Sequence, residues 1–271
     1  MPTEDFNALL QKSDPDRRMA ALFAPAELRD RLFVLYAFNQ EIGRIAEATS
    51  ESLIGEMKLT WWRDAIEDLY ADPAKVRRHD VTEGLAGLTG ILPKDDLLDM
   101  IAARLDDVTA RPFTDLGDLI AYVDRTSGRL MRLALAASDA EVDEALSRSA
   151  GRAWGLTGLL RAFPHRAQIG RAPLAGDSLT EAGGSAAMLA QGLGENLIGP
   201  ALDDVRAVIH AELETLAGFG ALPAEAVPAL GYVRLVPAYL KRLPANPFQT
   251  AAEPPLLARQ LRLSWLSLTG R

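Results

Sequence analysis

Apolar residues return every three to four positions along nearly the whole chain, and the strict alternation that marks half-buried strands is scarce, so the pattern predicts helices almost throughout. In LFVLYAFNQEIGRIAEATS, residues 32–50, the stripe runs through Leu32, Leu35, Tyr36, Phe38 or Asn39, Ile42, Ile45 and Ala46. Gln40, Glu41, Arg44 and Glu47 interleave with it and leave Gly43 in mid-helix, where glycine costs about 1 kcal/mol against alanine. Ser13-Asp14-Pro15 reads as a cap and first-turn proline opening a helix that stops before Pro25. A second long helix covers Glu51 to Tyr70, with Met57, Leu59, Trp61 or Trp62, Ile66 and Leu69 facing inward, and ends at Asp72-Pro73. Further helices are predicted over 94–108, 115–137, 139–163, 178–192, 201–217, 223–243 and 255–268. Phe163 to Gly176, with two prolines and two glycines, is the longest break inside the expected core. The sum is an all-α protein, one helical bundle of about ten helices spanning residues 1–271 as a single domain.

Composition narrows the function classes. The 271 residues, 48% hydrophobic and 24% charged, suit a soluble globular domain. A net charge of −8 argues against a nucleic-acid partner, whose phosphates must be neutralised by basic residues. The absence of cysteine removes disulfides, thiolate zinc sites and cysteine nucleophiles, and suits a reducing compartment. His79, His165 and His210 lie too far apart to form a metal-ligand spacing. MPTEDFNALLQKSD has no basic segment followed by an apolar core, and no run of 18 apolar residues occurs, so a cytoplasmic protein with at most peripheral membrane contact is expected.

Three acidic clusters invite a Mg²⁺ reading, since carboxylates sharing a helical face can hold that ion against substrate phosphates. Asp95, Asp96 and Asp99 spell DDLLD but follow Pro93 at a helix start, where acids are favoured by unpaired backbone N–H groups. Asp64, Glu67 and Asp68 in DAIED have suitable spacing, yet adjoin Arg63 and read as a solvated charged stripe. The sequence LDDV occurs at both 105–108 and 202–205, as chance allows in a chain with 37 acidic residues. The glycines around 192 and 194 lack the preceding strand and spacing of a dinucleotide loop. His165 beside Arg161, Arg166 and Arg171 reads as a surface residue.

RDRLFVLYAFNQEIGRIAE, GEMKLTWWRDAIEDLY and GLTGLLRAFPHRAQIGR, in this order, resemble the squalene/phytoene synthase family. The resemblance covers the chain from about Asp16 to the last helix. It implies the isoprenoid-synthase bundle, in which two facing aspartate-rich helices hold Mg²⁺ and diphosphates over an apolar cavity. In this frame Ala37-Phe38-Asn39-Gln40 match the lead-in, and the first helix's metal aspartates fall on Gly43, Arg44 and Glu47. Leu156, Thr157, Leu160, Arg161, Gly170 and Arg171 keep the frame of the second segment. Its glutamine and asparagine become Gly155 and Gly158, its aspartates fall on Ala162 and Arg166, and His165 stands where an acidic partner would. Only Glu47 of these degenerate metal-site positions is acidic. One carboxylate cannot assemble a multi-metal cluster, so no catalytic residue, no metal and no cofactor are expected.

The pattern AFNQEI…E followed by GE.KL.WWRDAI is similar to a non-catalytic branch of the family that includes the mitochondrial complex I assembly factor and its bacterial relatives. That similarity implies a protein partner, complex I subunits or assembly intermediates, at the inner face of a membrane. The competing expectation is a Mg²⁺-dependent prenyl-diphosphate transferase, or a protein binding an apolar isoprenoid or lipid, with Arg44, Arg161, Arg166 and Arg171 as candidate phosphate-binding residues. Arg44 also has Glu41 and Glu47 at helical pairing distance. The chain from 26 to 48 is expected to pack on that from 139 to 163, with Gly43, Gly155 and Gly158 permitting close approach. In the last helix Leu256, Leu257, Leu261, Trp265, Leu266 and Leu268 form one wide apolar face beside Arg259, Arg262 and Arg271. Its expected role is to close the bundle, with lying in a lipid interface as the alternative.

Overall fold

The computed structural model describes residues 5–49 and 51–271. Met1 to Glu4, part of the stretch read as carrying no targeting segment, and Ser50, the end of the quoted helical segment, lie outside the described residues. Among the described residues there are helices and no strands, as the periodicity predicts. In chain order they are α1 (Phe6–Ser13), α2 (Pro15–Ala21), α3 (Ala26–Gly43), α4 (Ser52–Ala71), α5 (Asp80–Ala86), α6 (Lys94–Ala103), α7 (Leu105–Val108), α8 (Leu116–Val123) and α9 (Arg129–Ala137). They continue with α10 (Glu144–Arg161), α11 (Phe163–Gln168), α12 (Gly176–Glu181), α13 (Ala186–Ala190), α14 (Gly199–Gly218), α15 (Val227–Leu230), α16 (Val236–Leu240) and α17 (Leu256–Thr269).

Several long segments are therefore broken where the sequence reads them as continuous. The chain from 94 to 108 divides at Arg104 into α6 and α7. The chain from 115 to 137 carries a π-turn, Asp124–Gly128, between α8 and α9. The expected break after Phe163 instead contains the helical turns of α11, which opens with Pro164 in its first turn, where the missing N–H costs nothing. α1 and α5, absent from the sequence reading, are short helices capped by Asp5 and His79.

The middle of α3 is buried on every side, Leu32 through Phe38 without interruption, so it is a core helix rather than an amphipathic one. It packs on α1, α2, α5 and α9, not chiefly on α10 as the paired glycines suggest. α10 instead packs on α14, α9 and the π-turn. The glycines that permit this approach are Gly151 and Gly155: a Cβ at Gly151 would meet Gly128 Cα at 2.8 Å, and one at Gly155 would meet Val123 Cγ1 at 2.6 Å. Gly158 has no neighbour within 4 Å of such a Cβ, and Gly43 has only the Arg104 guanidinium, at 3.8 Å. On α4, Leu59, Trp62, Ile66 and Leu69 face the core as expected, whereas Met57 is exposed.

Two buried ionic clasps tie the N-terminal helices to the rest. Arg17 pairs with Asp14 at 2.6 Å and lies among the rings of Tyr36, Trp154 and Tyr232. Asp16 accepts hydrogen bonds from the Tyr239 hydroxyl and from Arg259 Nη1, the latter at 2.9 Å, joining α2, α16 and α17. Burial pushes the Asp16 carboxyl above the usual range, although Tyr239 and Arg259 pull it down.

Candidate functional site

α3 ends at Gly43, so the residue read as a mid-helix cost is a terminal one, and Arg44 to Glu47 continue in a turn. The space beside Gly43 is taken by Arg104, which ends α6. Arg104 Nη2 donates to Asn39 Oδ1 at 3.3 Å, and Nη1 donates to the Tyr122 hydroxyl at 2.9 Å and Asp107 Oδ2 at 3.2 Å. From the other side, Arg166 on α11 places Nη1 2.6 Å from Asp107 Oδ1 and Nη2 3.1 Å from the Tyr122 hydroxyl. That hydroxyl donates to Asp107 Oδ2 at 2.7 Å. Arg171, fully buried, brings Nε to 3.2 Å from Asp107 Oδ1, donates from Nη1 to the Arg111 carbonyl at 2.8 Å, and stacks over Phe113 and Tyr122.

Asp107 is thus the hub of a buried cluster made by α7, α8, α11 and the end of α6. Burial alone would raise its pKa; Arg166, Arg104, Arg171 and the Tyr122 hydroxyl outweigh that and hold it at about 2. Arg104 and Arg166 are correspondingly held charged against their own burial. For Arg171 burial dominates and its pKa falls, with Arg166 adding repulsion. A carboxylate with both oxygens engaged by arginine and tyrosine is a poor proton acceptor at neutral pH and has no free face for a metal.

The degenerate positions do not come together as a metal site. Ala162 caps α10 through its backbone, Gly43 has no side chain, Glu47 lies 3.6 Å from His165 on the surface, and Arg166 belongs to the Asp107 cluster. Arg44 is exposed and, among the described residues, makes no ion pair with Glu41 or Glu47. No group of three or more acidic or histidine side chains among the described residues is placed to hold a metal ion, and the residues present do not fit the Mg²⁺ cluster that the resemblance implies. The four candidate phosphate-binding arginines are also dispersed. Arg166 and Arg171 face Asp107, Arg161 stacks 3.8 Å over the Tyr239 ring and reaches Glu253, and Arg44 borders a surface groove with Lys58, Trp61 and His79.

The other acidic clusters also resolve into ion pairs. Asp99 is engaged by Arg125 and Arg129 at 2.8 and 3.0 Å, and buried Asp96 by Arg132 at 2.9 Å, so DDLLD does more than favour a helix start. Asp64 pairs with adjacent Arg63 and Asp68 with Arg77, the solvated stripe expected of DAIED. A 160 Å³ apolar cavity lies between α10, α14 and α15, lined by Leu146, Leu213, Leu216, Leu230 and Val233; neither Gly43, Arg44, Ala162 nor Arg166 borders it.

Asp107 is the site residue that sequence reasoning passed over, being dismissed with the repeated LDDV. The available signal was Arg104 three residues before it, one helical turn away on the same face.

The fold and this site define an all-helical protein of squalene-synthase-like architecture with a buried arginine cluster around Asp107. Residues 10–267 match the squalene/phytoene synthase family, and the chain belongs to it. It is 27% identical over 239 residues to the NADH dehydrogenase (ubiquinone) complex I, assembly factor 6 of Mus musculus, covering 87% of this chain and 72% of that protein. It is also 29% identical over 166 residues to the presqualene diphosphate synthase of Sinorhizobium fredii, covering 59% of this chain and 57% of the synthase. A dehydrosqualene synthase crystal structure superposes with a TM-score of 0.78 over 97% of this chain and 94% of its own, at 15% identity. The family is prenyltransferase-like, with relatives named both as synthases and as assembly factors.

Proposed function

We propose that this chain is a non-catalytic member of the family that acts as an assembly factor or scaffold for respiratory complex I, the NADH:quinone oxidoreductase. The observation that carries the proposal is Arg166: the position at which the resemblance sets a metal aspartate holds a guanidinium bound to Asp107, the opposite charge to the one a Mg²⁺ ligand needs. Relatives named as complex I assembly factors, matched over most of this chain, support the choice of complex. The bundle then serves through its surfaces, with complex I subunits or assembly intermediates as partners, without Mg²⁺, and at the inner face of the membrane that houses the complex. No helix among the described residues is long and apolar enough to cross a membrane, so such contact would be peripheral. Trp62 is buried and Trp61 half-buried, so the partner anchors on α4 would be its exposed apolar side chains Leu53, Ile54 and Met57.

Deletion in the source organism tests this. Assembled NADH:quinone oxidoreductase activity should fall while squalene, hopanoid and carotenoid levels stay constant. Normal complex activity with altered isoprenoids would sink the scaffold reading and favour a transferase.

A further inference from the structure

α17 is covered on one side only. Arg259, Leu263 and Leu266 are its buried residues, whereas Leu257, Leu261, Trp265 and Leu268 are 65, 62, 64 and 82% exposed. Their spacing of four, four and three residues sets them in one stripe along the helix. The expectation that this apolar face closes the bundle is therefore corrected, because Leu266 alone of its six residues is buried. A narrow set of contacts, anchored by Arg259 on Asp16, holds the helix in place and leaves the wider apolar side outward.

The surroundings of this stripe are basic. Arg234, Lys241, Arg242 and Arg262 lie on α17 and on the chain from 231 to 242 beneath it, and Lys241, Arg242, Leu261 and Arg262 border one shallow groove. Among the described residues none of these four cations is paired with a carboxylate. Arg242 donates to the Ala238 carbonyl, Arg262 to the Arg234 carbonyl and Arg234 to the Gly220 carbonyl. From Ala226 to Arg271 the chain has six lysines and arginines against Glu253 alone, although its net charge is −8. Glu253 itself is engaged by Arg161 and Arg259.

We propose that the exposed face of α17, with Arg234, Lys241, Arg242 and Arg262, docks this protein onto an anionic lipid bilayer. A leucine and tryptophan stripe on a helix without acidic residues is suited to lie in the plane of the interface, where leucines enter the acyl boundary and tryptophan sits at headgroup level. The unpaired cations beside it then meet lipid phosphates, each adding an attraction that salt screens. A second copy of the chain fits less well, since a twofold contact would set these cations against themselves. All four stripe side chains are more than half exposed, as entry into a deformable bilayer requires. This docking stands independently of the assembly-factor reading.

The test is co-sedimentation of the full chain with phosphatidylcholine vesicles with and without phosphatidylglycerol, at low and high salt. Wild-type protein should pellet with the anionic vesicles and be released by salt. Joint Leu261→Ser and Trp265→Ser substitution should weaken the partition by about tenfold or more without changing thermal unfolding, because both side chains are already in solvent. Joint Arg242→Glu and Arg262→Glu substitution should abolish the preference for anionic over neutral vesicles. The proposal is overturned if wild-type protein stays in the supernatant, if the serine variant binds as wild type does, or if that variant loses only self-association in a sizing measurement. None of these results bears on complex I activity in the deletion strain, so the two proposals fail separately.

Discussion

Arg166 Nη1 lies 2.6 Å from Asp107 Oδ1, and the pair is buried, with side-chain exposures of 14 and 5%. A guanidinium stands at a position the resemblance assigns to a metal carboxylate, and its partner carboxylate comes from a helix that the resemblance assigns no metal role. Arg104, Arg171 and Tyr122 complete the engagement of Asp107. Asp107→Asn keeps the shape and removes the charge, leaving the facing guanidiniums uncompensated. It should destabilise the protein by about 3–5 kcal/mol, the range for breaking a buried pair from one side. Adding Arg166→Met should recover part of that loss in urea unfolding, and a double variant as weak as the sum of two singles would show the sites to be uncoupled.

The same carboxylate predicts an acid limb of stability. Its folded pKa of about 2 lies below the roughly 3.9 of an unfolded aspartate. Its contribution is therefore fully present above about pH 5, fades as pH falls through 4, and is gone near pH 2. The difference corresponds to about 2–3 kcal/mol. Urea midpoints measured between pH 2 and 6 should fall less steeply in Asp107→Asn than in wild type, once the loss in the first prediction is subtracted. Parallel slopes would mean that Asp107 is not the titrating group.

Glycine substitutions separate the observed packing of α10 from the packing the sequence suggests. Gly151→Ala and Gly155→Ala force a methyl against Gly128 Cα and against Val123 and Ser127, and each should cost about 1–3 kcal/mol. Gly158→Ala meets nothing within 4 Å and should be neutral or stabilising by up to about 1 kcal/mol through helix propensity. Thermal unfolding of the three variants decides. A destabilising Gly158→Ala with a silent Gly155→Ala would reverse the helix contacts described above.

The identical sequences at 105–108 and 202–205 show where sequence reasoning stopped. Asp107 is buried among arginines, while its counterpart Asp204 is exposed. The local four residues cannot distinguish these fates, because the partners of Asp107 lie outside them, at residues 104, 122, 166 and 171. Periodicity identified the helical class and most long helices, since it records burial averaged over turns. It missed the split at Arg104 and the π-turn at Asp124–Gly128, where backbone hydrogen-bonding changes without interrupting the apolar spacing. The family frame sets aspartates at the positions of Gly43, Arg44, Ala162 and Arg166, but does not reveal that Arg44 lies on the surface and Arg161 over Tyr239. Residue identity reports which charge a position carries, and only the fold reports what compensates it.

The purified protein should form no condensation product from farnesyl or geranylgeranyl diphosphate, with or without Mg²⁺. A diphosphate leaving group needs metal or an equivalent cluster of free cations at the bond being broken. Arg166 and Arg171 are committed to Asp107, and Arg104 to Asp107, Tyr122 and Asn39. The remaining acid pair with helical metal spacing, Asp64 and Asp68, is engaged by Arg63 and Arg77 at 2.9 and 2.7 Å. Calorimetry in EDTA should detect no tight diphosphate binding, and Arg166→Ala should not create it, because the change removes a cation while Arg104 and Arg171 stay engaged by Asp107. Product that requires Mg²⁺ and disappears in Asp64→Asn or Asp68→Asn would refute the non-catalytic assignment and move the active centre to α4.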